Sequence, residues 1–282
     1  MIITSEYVEV QKSRINKAIQ QYQPQLFFSE IKHEQAARYT LFPEGHRYRS
    51  ILALEVYAAL GGQRDHFLKA IVGLECIHHA SLIFDDFPCM DNARERKAKP
   101  TTWVQYGEAV AILAAVTLEN EGRHLIAENA REHEAEVPVE EFLYKELKDL
   151  YAGQELDLRL TKTENELIDA MKKKNSLMKS ACQLPGFFLK RNDMCETLEA
   201  VGEDLAFAYQ LFDDLRDIVP SKITGKPMGQ DVQKQTLLYL WGEEKVKDEL
   251  RRKKEACRER VRRIKQDTML EQMIDYMLTI PS

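Results

Sequence analysis

Two clusters of aspartates offer the clearest chemistry in this sequence. One lies in DDFPCMD (85–91) and the other in DDLRD (213–217), and each directly follows an apolar run. Adjacent carboxylates repel each other, and burial adds a desolvation cost that a divalent cation relieves. Carboxylate oxygens suit Mg²⁺, which keeps waters and shares its coordination with substrate phosphates. The predicted metal ligands are Asp85, Asp86, Asp91, Asp213, Asp214 and Asp217.

The spacing within each cluster indicates how its carboxylates come together. Asp213 and Asp217 are four residues apart, so they share one face of a helix. Pro88 cannot continue a helix, so we expect the first helix to end or bend there and Asp91 to be brought back toward Asp85. One such cluster alone is typical of a solvated helix end. Two clusters after buried-looking runs favour a metal site.

Cationic and histidine side chains near the clusters predict a diphosphate site. His46, Arg47 and Arg49 stand at a helix start, where backbone amides also favour anions. His78 lies two helical turns before Asp85, on the same face. The sequence has no P-loop and no GxGxxG, so it gives nucleotide binding no support. Further cations are Arg96, Lys97, Lys172, Lys173, Lys174, Lys226 and Lys234.

Composition limits the remaining possibilities. The 282 residues are 44% hydrophobic and 30% charged, with a net charge of −6 that argues against general nucleic-acid binding. The basic run 251–266 is interleaved with Glu255 and Glu259, which indicates a solvated helix face. The absence of a long apolar run predicts no membrane-spanning helix. Five scattered cysteines without a CxxC pair favour reduced thiols in a cytoplasmic protein.

The elements that must position these residues are predicted to be helices. Apolar periodicity predicts one helix over 51–59, a second over 64–84 that is apolar on most faces, and a third that Thr101 and Thr102 cap and that runs past Val116. Further helices are predicted from Pro138 to the end of the chain. No strand is indicated. The prediction is an all-α protein in which residues 1–282 form a single domain.

Six segments resemble, in order, the motifs of the trans-isoprenyl diphosphate synthases, the polyprenyl synthetase family. GHRYR is similar to the family's GKRxR, and ECIHHASLIFDDFPCMD to its first aspartate-rich motif with the upstream histidine. YAGQELDL resembles GQxxDL, and KKNSLM resembles KTxxL. YQLFDDLRD resembles FQxxDDxxD, and GKPMGQDVQKQT resembles GKxxGxDxxxxKxT. The resemblance covers most of the chain.

The resemblance implies an isoprenoid synthase fold, with about ten helices around a deep central cavity, usually as a homodimer. It implies that Asp85, Asp91 and Asp213 lead the binding of three Mg²⁺ ions in the substrate complex. Arg96 falls where the family binds the allylic diphosphate. The residues at isopentenyl diphosphate positions are His46, Arg49, His78 and Lys97. The residues at positions that contact the allylic diphosphate or the developing cation are Lys174, Asn175, Gln210, Lys226 and Lys234.

The implied reaction joins isopentenyl diphosphate to an allylic diphosphate after the allylic C–O bond has ionised. The small residues Ala80 and Ser81, one turn before Asp85, leave room for a growing tail. They favour a C20 product over C15 among the short trans-prenyl diphosphates.

Four departures from the family pattern leave alternatives open. His46 replaces a lysine, Phe84 stands where histidine is common, Asn175 replaces a threonine, and 92–98 rewrites the usual DLRRG ending. Drift in a working synthase is one interpretation. A terpene cyclase on the same scaffold and a non-catalytic subunit of a heteromeric synthase are the others.

Overall fold

The computed structural model describes residues 5–26, 30–41, 45–159, 161–217, 236–265 and 269–279. Within these ranges the regular secondary structure is helical except for one very short antiparallel ladder that the sequence did not indicate, so the all-α prediction is confirmed. The ladder joins β1 (Glu95–Arg96) to β2 (Lys99–Pro100). The described chain groups into two compact units, one comprising the chain up to Leu54 with Gly62–Glu140 and the other Glu55–Gly61 with the chain from Glu141 onward. The single-domain organisation and the central cavity stay predictions.

The unit that contains the first aspartate cluster is built around one buried helix. Its helices are α1 (Ser5–Leu26), α2 (Lys32–Leu41), the first part of α3 (Tyr48–Ala59), α4 (Leu68–Asp86), α5 (Thr102–Tyr106), α6 (Glu108–Glu132) and the start of α7 (Glu136–Asp157). Helix α4 is buried on most of its circumference, as the sequence predicts. A 3₁₀ turn over Arg64–Phe67 precedes it, so the α-helix begins four residues later than predicted.

Two glycines let α4 and α6 approach to backbone contact. A Cβ on Gly73 would lie 2.5 Å from the carbonyl oxygen of Gly122, and a Cβ on Gly122 would lie 2.6 Å from that of Gly73. Any larger side chain would force the helices apart. The continuous helix predicted from Thr102 past Val116 is wrong, because Gly107 at φ 83° separates α5 from α6. Only glycine adopts that conformation without strain.

The stretch Arg64–Asp86 is long and apolar enough to cross a membrane, with a mean hydropathy of 1.4 over its most apolar window. In the structure, 67% of that window is buried inside the protein. The core helix of a soluble protein has the same properties. The contacts of α4 are therefore those of a packed core helix.

The other unit is built around α10. Its further helices are the remainder of α3 and α7, then α8 (Glu164–Lys174), α9 (Ser176–Phe188), α10 (Cys195–Asp217), α11 (Leu237–Trp241), α12 (Glu243–Ile264) and α13 (Met269–Met277). Helix α12 buries one apolar stripe that includes Leu250 and Val261. Its arginines pair with acids, as Arg252 does with Glu249 and Arg258 with Glu271. The predicted solvated face of the basic run is confirmed.

Candidate active site

The first aspartate cluster lies where α4 ends and the chain turns back. The helix stops at Asp86, and Phe87 takes an extended conformation with φ −59° and ψ 153°. The backbone amide of Asp91 then donates to the carbonyl oxygen of Asp85 at 2.9 Å. Asn92, at φ 49°, donates its amide to the Phe87 carbonyl oxygen at 2.9 Å. The predicted end of the helix and the return of Asp91 to Asp85 are confirmed.

One face of α4 leads along the helix to Asp85. His78, Ser81, Leu82 and Asp85 are all partly exposed, at the spacing i, i+3, i+4 and i+7. The residues between them on the opposite face are buried, and Ala80 is only 1% exposed. His78 therefore shares a face with Asp85, as predicted. Ala80 belongs to the packed interior, whereas Ser81 borders open space.

Asp86 is bound by an arginine of the neighbouring hairpin. Arg96 donates from Nη2 to Asp86 Oδ1 at 2.8 Å and from Nε to both carboxylate oxygens at 3.1 and 3.2 Å. Burial raises the pKa of Asp86 although these hydrogen bonds oppose the shift. In the described structure Asp86 therefore holds Arg96 in place, while Asp85 stays partly exposed.

Residues 92–98, which depart from the family pattern, form an ordered hairpin. Lys97 and Ala98 connect β1 to β2 with φ values of 53° and 57°. Positive φ at both residues of a two-residue loop is the geometry of a type I′ turn, which normally selects asparagine and glycine. This turn brings Arg96 to Asp86 and also fixes the position of Lys97.

The hairpin is held at its base by α5. Thr101 donates its amide to the Arg94 carbonyl at 3.0 Å and its hydroxyl to the Ala93 carbonyl at 2.8 Å. The Trp103 indole donates to the same Ala93 oxygen at 2.9 Å, and the Arg94 guanidinium stacks 5.1 Å from the indole centroid. Aromatic and hydrogen-bonding contacts thus hold the rewritten segment against the start of α5.

Cations from two chain segments gather beside α4. A Cβ on Gly45 would lie 3.0 Å from Lys97 Nζ, so the hairpin lysine reaches the GHRYR segment. Burial lowers the pKa of Lys97, and repulsion from Arg47 and Arg96 lowers it further. Burial lowers the pKa of His78 well below its usual value, and Arg49 adds to that shift. The uncharged imidazole of His78 is therefore surrounded by positive charge.

The cationic residues of the GHRYR segment, at the start of α3, differ in their exposure to solvent. His46 is exposed and stacks on Tyr48, with 4.9 Å between ring centroids. Arg49 is partly buried, and Arg47 is buried. The expectation that Arg47 contributes to an anion site is wrong, because its guanidinium pairs with Glu75 inside the protein.

Sequence reasoning missed the residues that surround Arg47. They are Glu75 and His79 on α4, Ser50 on α3 and Asn16 on α1. Burial lowers the pKa of His79 to about 4. A charged residue inside an otherwise apolar helix, as in ECIHH, is the signal that could have revealed this buried network.

The second aspartate cluster lies at the end of α10 in the other unit. Asp213 is partly exposed and Asp214 is buried, while Asp217 is the last residue of the helix. Gln210 Nε2 donates to Asp214 Oδ1 at 2.9 Å. Gln210 thus orients one carboxylate of the cluster.

Asn175 fixes the orientation of Gln210. Its Nδ2 donates to the Met171 carbonyl at 3.2 Å and to Gln210 Oε1 at 3.1 Å. A backbone carbonyl and a carboxylate only accept hydrogen bonds, so both ends of this chain require the amides to point as they do. Gln210 therefore turns its oxygen to Asn175 and its donor to Asp214, and its contact with the allylic diphosphate or the developing cation stays a prediction.

Lys174 is tied to the end of α7. Its Nζ lies 2.8 Å from Asp157 Oδ2, which joins the KKNSLM segment to the YAGQELDL segment. Gly153 makes this approach possible, since a Cβ there would lie 2.3 Å from the Lys174 amide nitrogen. Lys226 and Lys234 lie outside the described residues.

The donor chemistry of both clusters fits Mg²⁺ that is shared with a phosphate. Among the residues that the structure describes, no three His, Cys, Asp or Glu side chains are placed to hold a metal by themselves. Mg²⁺ is typically bound by one or two carboxylates, with water and substrate phosphates completing its coordination. Asp85 and Asp91 at the end of α4, and Asp213 and Asp214 on α10, provide such incomplete oxygen sets.

Comparison with known proteins gives consistent similarities. Residues 31–277 match the polyprenyl synthetase family. The chain is 31% identical over 260 residues to geranylgeranyl pyrophosphate synthase 10, mitochondrial, of Arabidopsis thaliana, with 86% of this chain and 74% of that one covered. It is 34% identical over 226 residues to geranylgeranyl diphosphate synthase of Pseudescherichia vulneris, with 77% and 73% covered.

Solved structures share the fold. Geranylgeranyl pyrophosphate synthetase from Pyrococcus horikoshii Ot3 has a TM-score of 0.86 at 22% identity, with 98% of this chain and 99% of that one covered. Geranyltransferase from Helicobacter pylori, complexed with magnesium and isoprenyl diphosphate, has a TM-score of 0.78 at 24% identity, with 94% and 95% covered. The predicted isoprenoid synthase fold is confirmed.

Asn175→Asp tests the hydrogen-bond chain that runs from Asn175 through Gln210 to Asp214. The change keeps the side-chain volume but removes both Nδ2 donors, so Gln210 must reverse its amide and turn its oxygen toward Asp214. We expect Mg²⁺ with inorganic pyrophosphate to bind about tenfold more weakly, which is about 1.4 kcal/mol, measured by calorimetry. The control is Asn129→Asp, because Asn129 is equally buried but donates to the His66 carbonyl and Glu132 on α6. Unchanged binding, or an equal loss in both variants, contradicts the assignment.

Proposed function

Because the chain belongs to the polyprenyl synthetase family, we propose that it joins isopentenyl diphosphate to an allylic diphosphate and releases a short-chain trans-prenyl diphosphate. The observation that carries this proposal is the gathering of Arg49, Arg96 and Lys97 beside the face of α4 that ends at Asp85. That arrangement provides a cationic surface for a diphosphate next to carboxylates for its metal ions.

Isopentenyl diphosphate binds to the cationic residues around His78. Arg49 and Lys97 neutralise its phosphates, and Arg suits paired contacts with phosphate oxygens. Because burial and the nearby Arg49 lower the pKa of His78, its imidazole binds as an uncharged hydrogen-bonding group. The exposed His46 adds a contact without a permanent charge, so this site depends more on Arg49 and Lys97 than a site with lysine at position 46 would.

The allylic diphosphate binds at the aspartate clusters. Asp85, Asp91, Asp213 and Asp214 would hold Mg²⁺, which we propose as three ions and which would supply the positive charge that a departing diphosphate requires. We propose Asp217 as a further ligand, and Lys226 and Lys234 as diphosphate contacts.

Residues of the chain itself orient the allylic diphosphate and neutralise part of its negative charge. Arg96 presents its remaining guanidinium donors to the phosphates while Asp86 holds it. Lys174 contacts the same diphosphate from beside Asp157, and Gln210 keeps Asp214 oriented through Asn175. The apolar surroundings shield the carbocation from water, the alkene of isopentenyl diphosphate attacks it, and the released pyrophosphate accepts the proton.

The tail of the product lies along the partly exposed face of α4. Ser81 and Leu82 border this face one turn before Asp85, and the small Ser81 leaves room for a longer chain. We therefore propose a C20 product.

We propose a homodimer in which a second copy of the chain covers an exposed apolar stripe on α6. Ile112, Leu113 and Val116 are 47%, 54% and 45% exposed on adjacent turns, and such patches are typical of interaction surfaces.

We propose a cytoplasmic location; among the similar proteins, those of Arabidopsis thaliana are named mitochondrial and chloroplastic.

Product analysis tests the proposed function. The protein is incubated with Mg²⁺ and geranyl or farnesyl diphosphate, with and without isopentenyl diphosphate, and with a chelator as the metal-free control. A longer diphosphate that appears only with isopentenyl diphosphate and Mg²⁺ is the expected result. A hydrocarbon or alcohol made without isopentenyl diphosphate would instead identify a terpene cyclase. No turnover would indicate a non-catalytic subunit.

Asp85→Asn and Asp213→Asn test the metal assignment. Each removes one negative oxygen ligand, and we expect kcat to fall by at least about 100-fold because several kcal/mol of charge stabilisation depends on the metal. Circular dichroism should remain that of the wild type. Asp248→Asn, on the exposed face of α12, is the control and should leave kcat unchanged. Near-wild-type turnover in either cluster variant would refute the assignment.

Ser81→Phe and Ala80→Phe form a pair that tests the tail path. Ser81→Phe places a ring on the open face of α4 and should shift the main product from C20 to C15, as seen by chromatography. Ala80→Phe forces a ring into the packed interior and should lower the free energy of unfolding by about 1–3 kcal/mol without shortening the product. The reverse pattern would place the tail on the opposite face.

Val116→Glu tests the dimer surface. Wild-type protein should have twice the chain mass of 32.7 kDa by light scattering, and the charged variant should shift toward the monomer. Val10→Glu, a comparably exposed position on α1, should keep the wild-type mass. A monomeric wild type would refute the proposal.

A further inference from the structure

A buried polar network connects α4 to the segment that carries His46 and Arg49. Glu75 on α4 and Arg47 before α3 form its central ion pair, and their side chains are 3% and 1% exposed. Burying two charges carries a desolvation penalty that only good geometry and additional hydrogen bonds offset. The structure provides those hydrogen bonds from four helices.

Arg47 uses every nitrogen of its guanidinium. Nη1 donates to Glu75 Oε2, Nη2 donates to the Leu41 carbonyl at 3.3 Å, and Nε donates to Asn16 Oδ1 at 3.2 Å. Nη1 also lies 3.5 Å from His79 Nε2. The side chain is therefore fixed in position relative to α1, the end of α2 and α4 together.

Glu75 is equally well satisfied. Ser50 donates its hydroxyl to Glu75 Oε1, and His79 Nδ1 lies 2.7 Å from the Glu75 backbone oxygen. Burial alone would raise the pKa of Glu75, but Arg47, His79 and the hydrogen bonds hold it below its usual value. The carboxylate stays ionised, and so the ion pair stays intact.

The backbone at Arg47 has an unfavourable conformation that this network maintains. Arg47 has φ 56°, in the left-handed region that non-glycine residues rarely occupy. Its carbonyl accepts the amide of Ile51 at 2.9 Å, so the strained residue also forms the start of α3. Such backbone conformations persist when several surrounding contacts hold the residue in place. The buried side chain of Arg47 thus sets the turn from which His46 and Arg49 project.

We infer that Glu75 is a positioning residue, which through Arg47 sets the affinity of the His46–Arg49 segment for the isopentenyl diphosphate anion. The inference rests on the proposed function for the identity of that ligand. Glu75 itself touches no substrate. We expect its effect to be specific to one substrate, because the segment it anchors lies in the cationic group around His78 and Lys97, whereas the allylic diphosphate is proposed to bind at the aspartate clusters.

The decisive variant is the double substitution Glu75→Leu with Arg47→Met. Replacing both partners leaves no unpaired buried charge, and such apolar replacements are often neutral for stability. We expect the KM for isopentenyl diphosphate to rise at least tenfold, while kcat and the KM for the allylic diphosphate stay within about threefold of wild type. The melting temperature reports whether the fold is retained.

The matched control is Glu146→Leu with Lys179→Met. This second buried pair, on α7 and α9, has its carboxylate 2% exposed and lies outside the proposed binding machinery. We expect both KM values to stay within about twofold of wild type. A milder variant, Asn16→Ala, removes only the acceptor of Arg47 Nε and should raise the KM for isopentenyl diphosphate by about two- to fivefold, so the test survives if the double variant does not fold.

Two results overturn the inference. One is an unchanged KM for isopentenyl diphosphate in a folded Glu75/Arg47 variant and in Asn16→Ala. The other is an equal rise in both KM values, which marks a purely structural role. If the wild type makes no prenyl diphosphate, the proposed function fails separately. Calorimetric binding of inorganic pyrophosphate to the same variants then decides the positioning role, with tenfold weaker binding supporting it and unchanged binding refuting it.

Discussion

The C-terminal end of α4 concentrates negative charge that the fold must compensate. The helix dipole already places partial negative charge there, and Asp85 and Asp86 add two carboxylates at that end. The apolar helix behind them prevents solvation from one side. Compensation therefore comes from outside the helix, and the hairpin and the segment at the start of α3 supply positive charge to this end.

Compensation is divided among these partners. Asp86, the more buried of the two carboxylates, is balanced by Arg96, whereas Asp85 remains partly exposed. Lys97, the next residue, has its ammonium group close to Gly45. Since Arg96 ends β1 and Lys97 begins the turn, a single hairpin fixes the positions of both cations.

The sequence predicted the parts of the site that depend on local rules. Pro88 indicated the end of α4 and the return of Asp91, and helical spacing placed His78 on the face of Asp85. The all-α architecture followed from periodicity. The break at Gly107 was missed, because apolar periodicity continues across a glycine whose positive φ only the three-dimensional structure reveals.

Other features depend on contacts between distant segments. The inward orientation of Arg47 depends on Glu75, which lies 28 residues away. The orientation of the Gln210 amide depends on Asn175, which lies 35 residues away. Likewise, nothing in the local pattern separates Ala80 from Ser81, since only the packing around α4 decides which of two small neighbours is enclosed. Buried polar groups require partners, but the sequence alone does not name them.

The backbone contact between Gly73 and Gly122 fixes the position of α4 against α6. Two helices that touch at the main chain cannot slide or rotate past one another without breaking that contact. Within the continuous helix α4 each turn advances about 5.4 Å, so every position has a fixed distance from Asp85. Under the proposed function, moving a bulky side chain one turn further from Asp85 lengthens the space for the product tail by one such step.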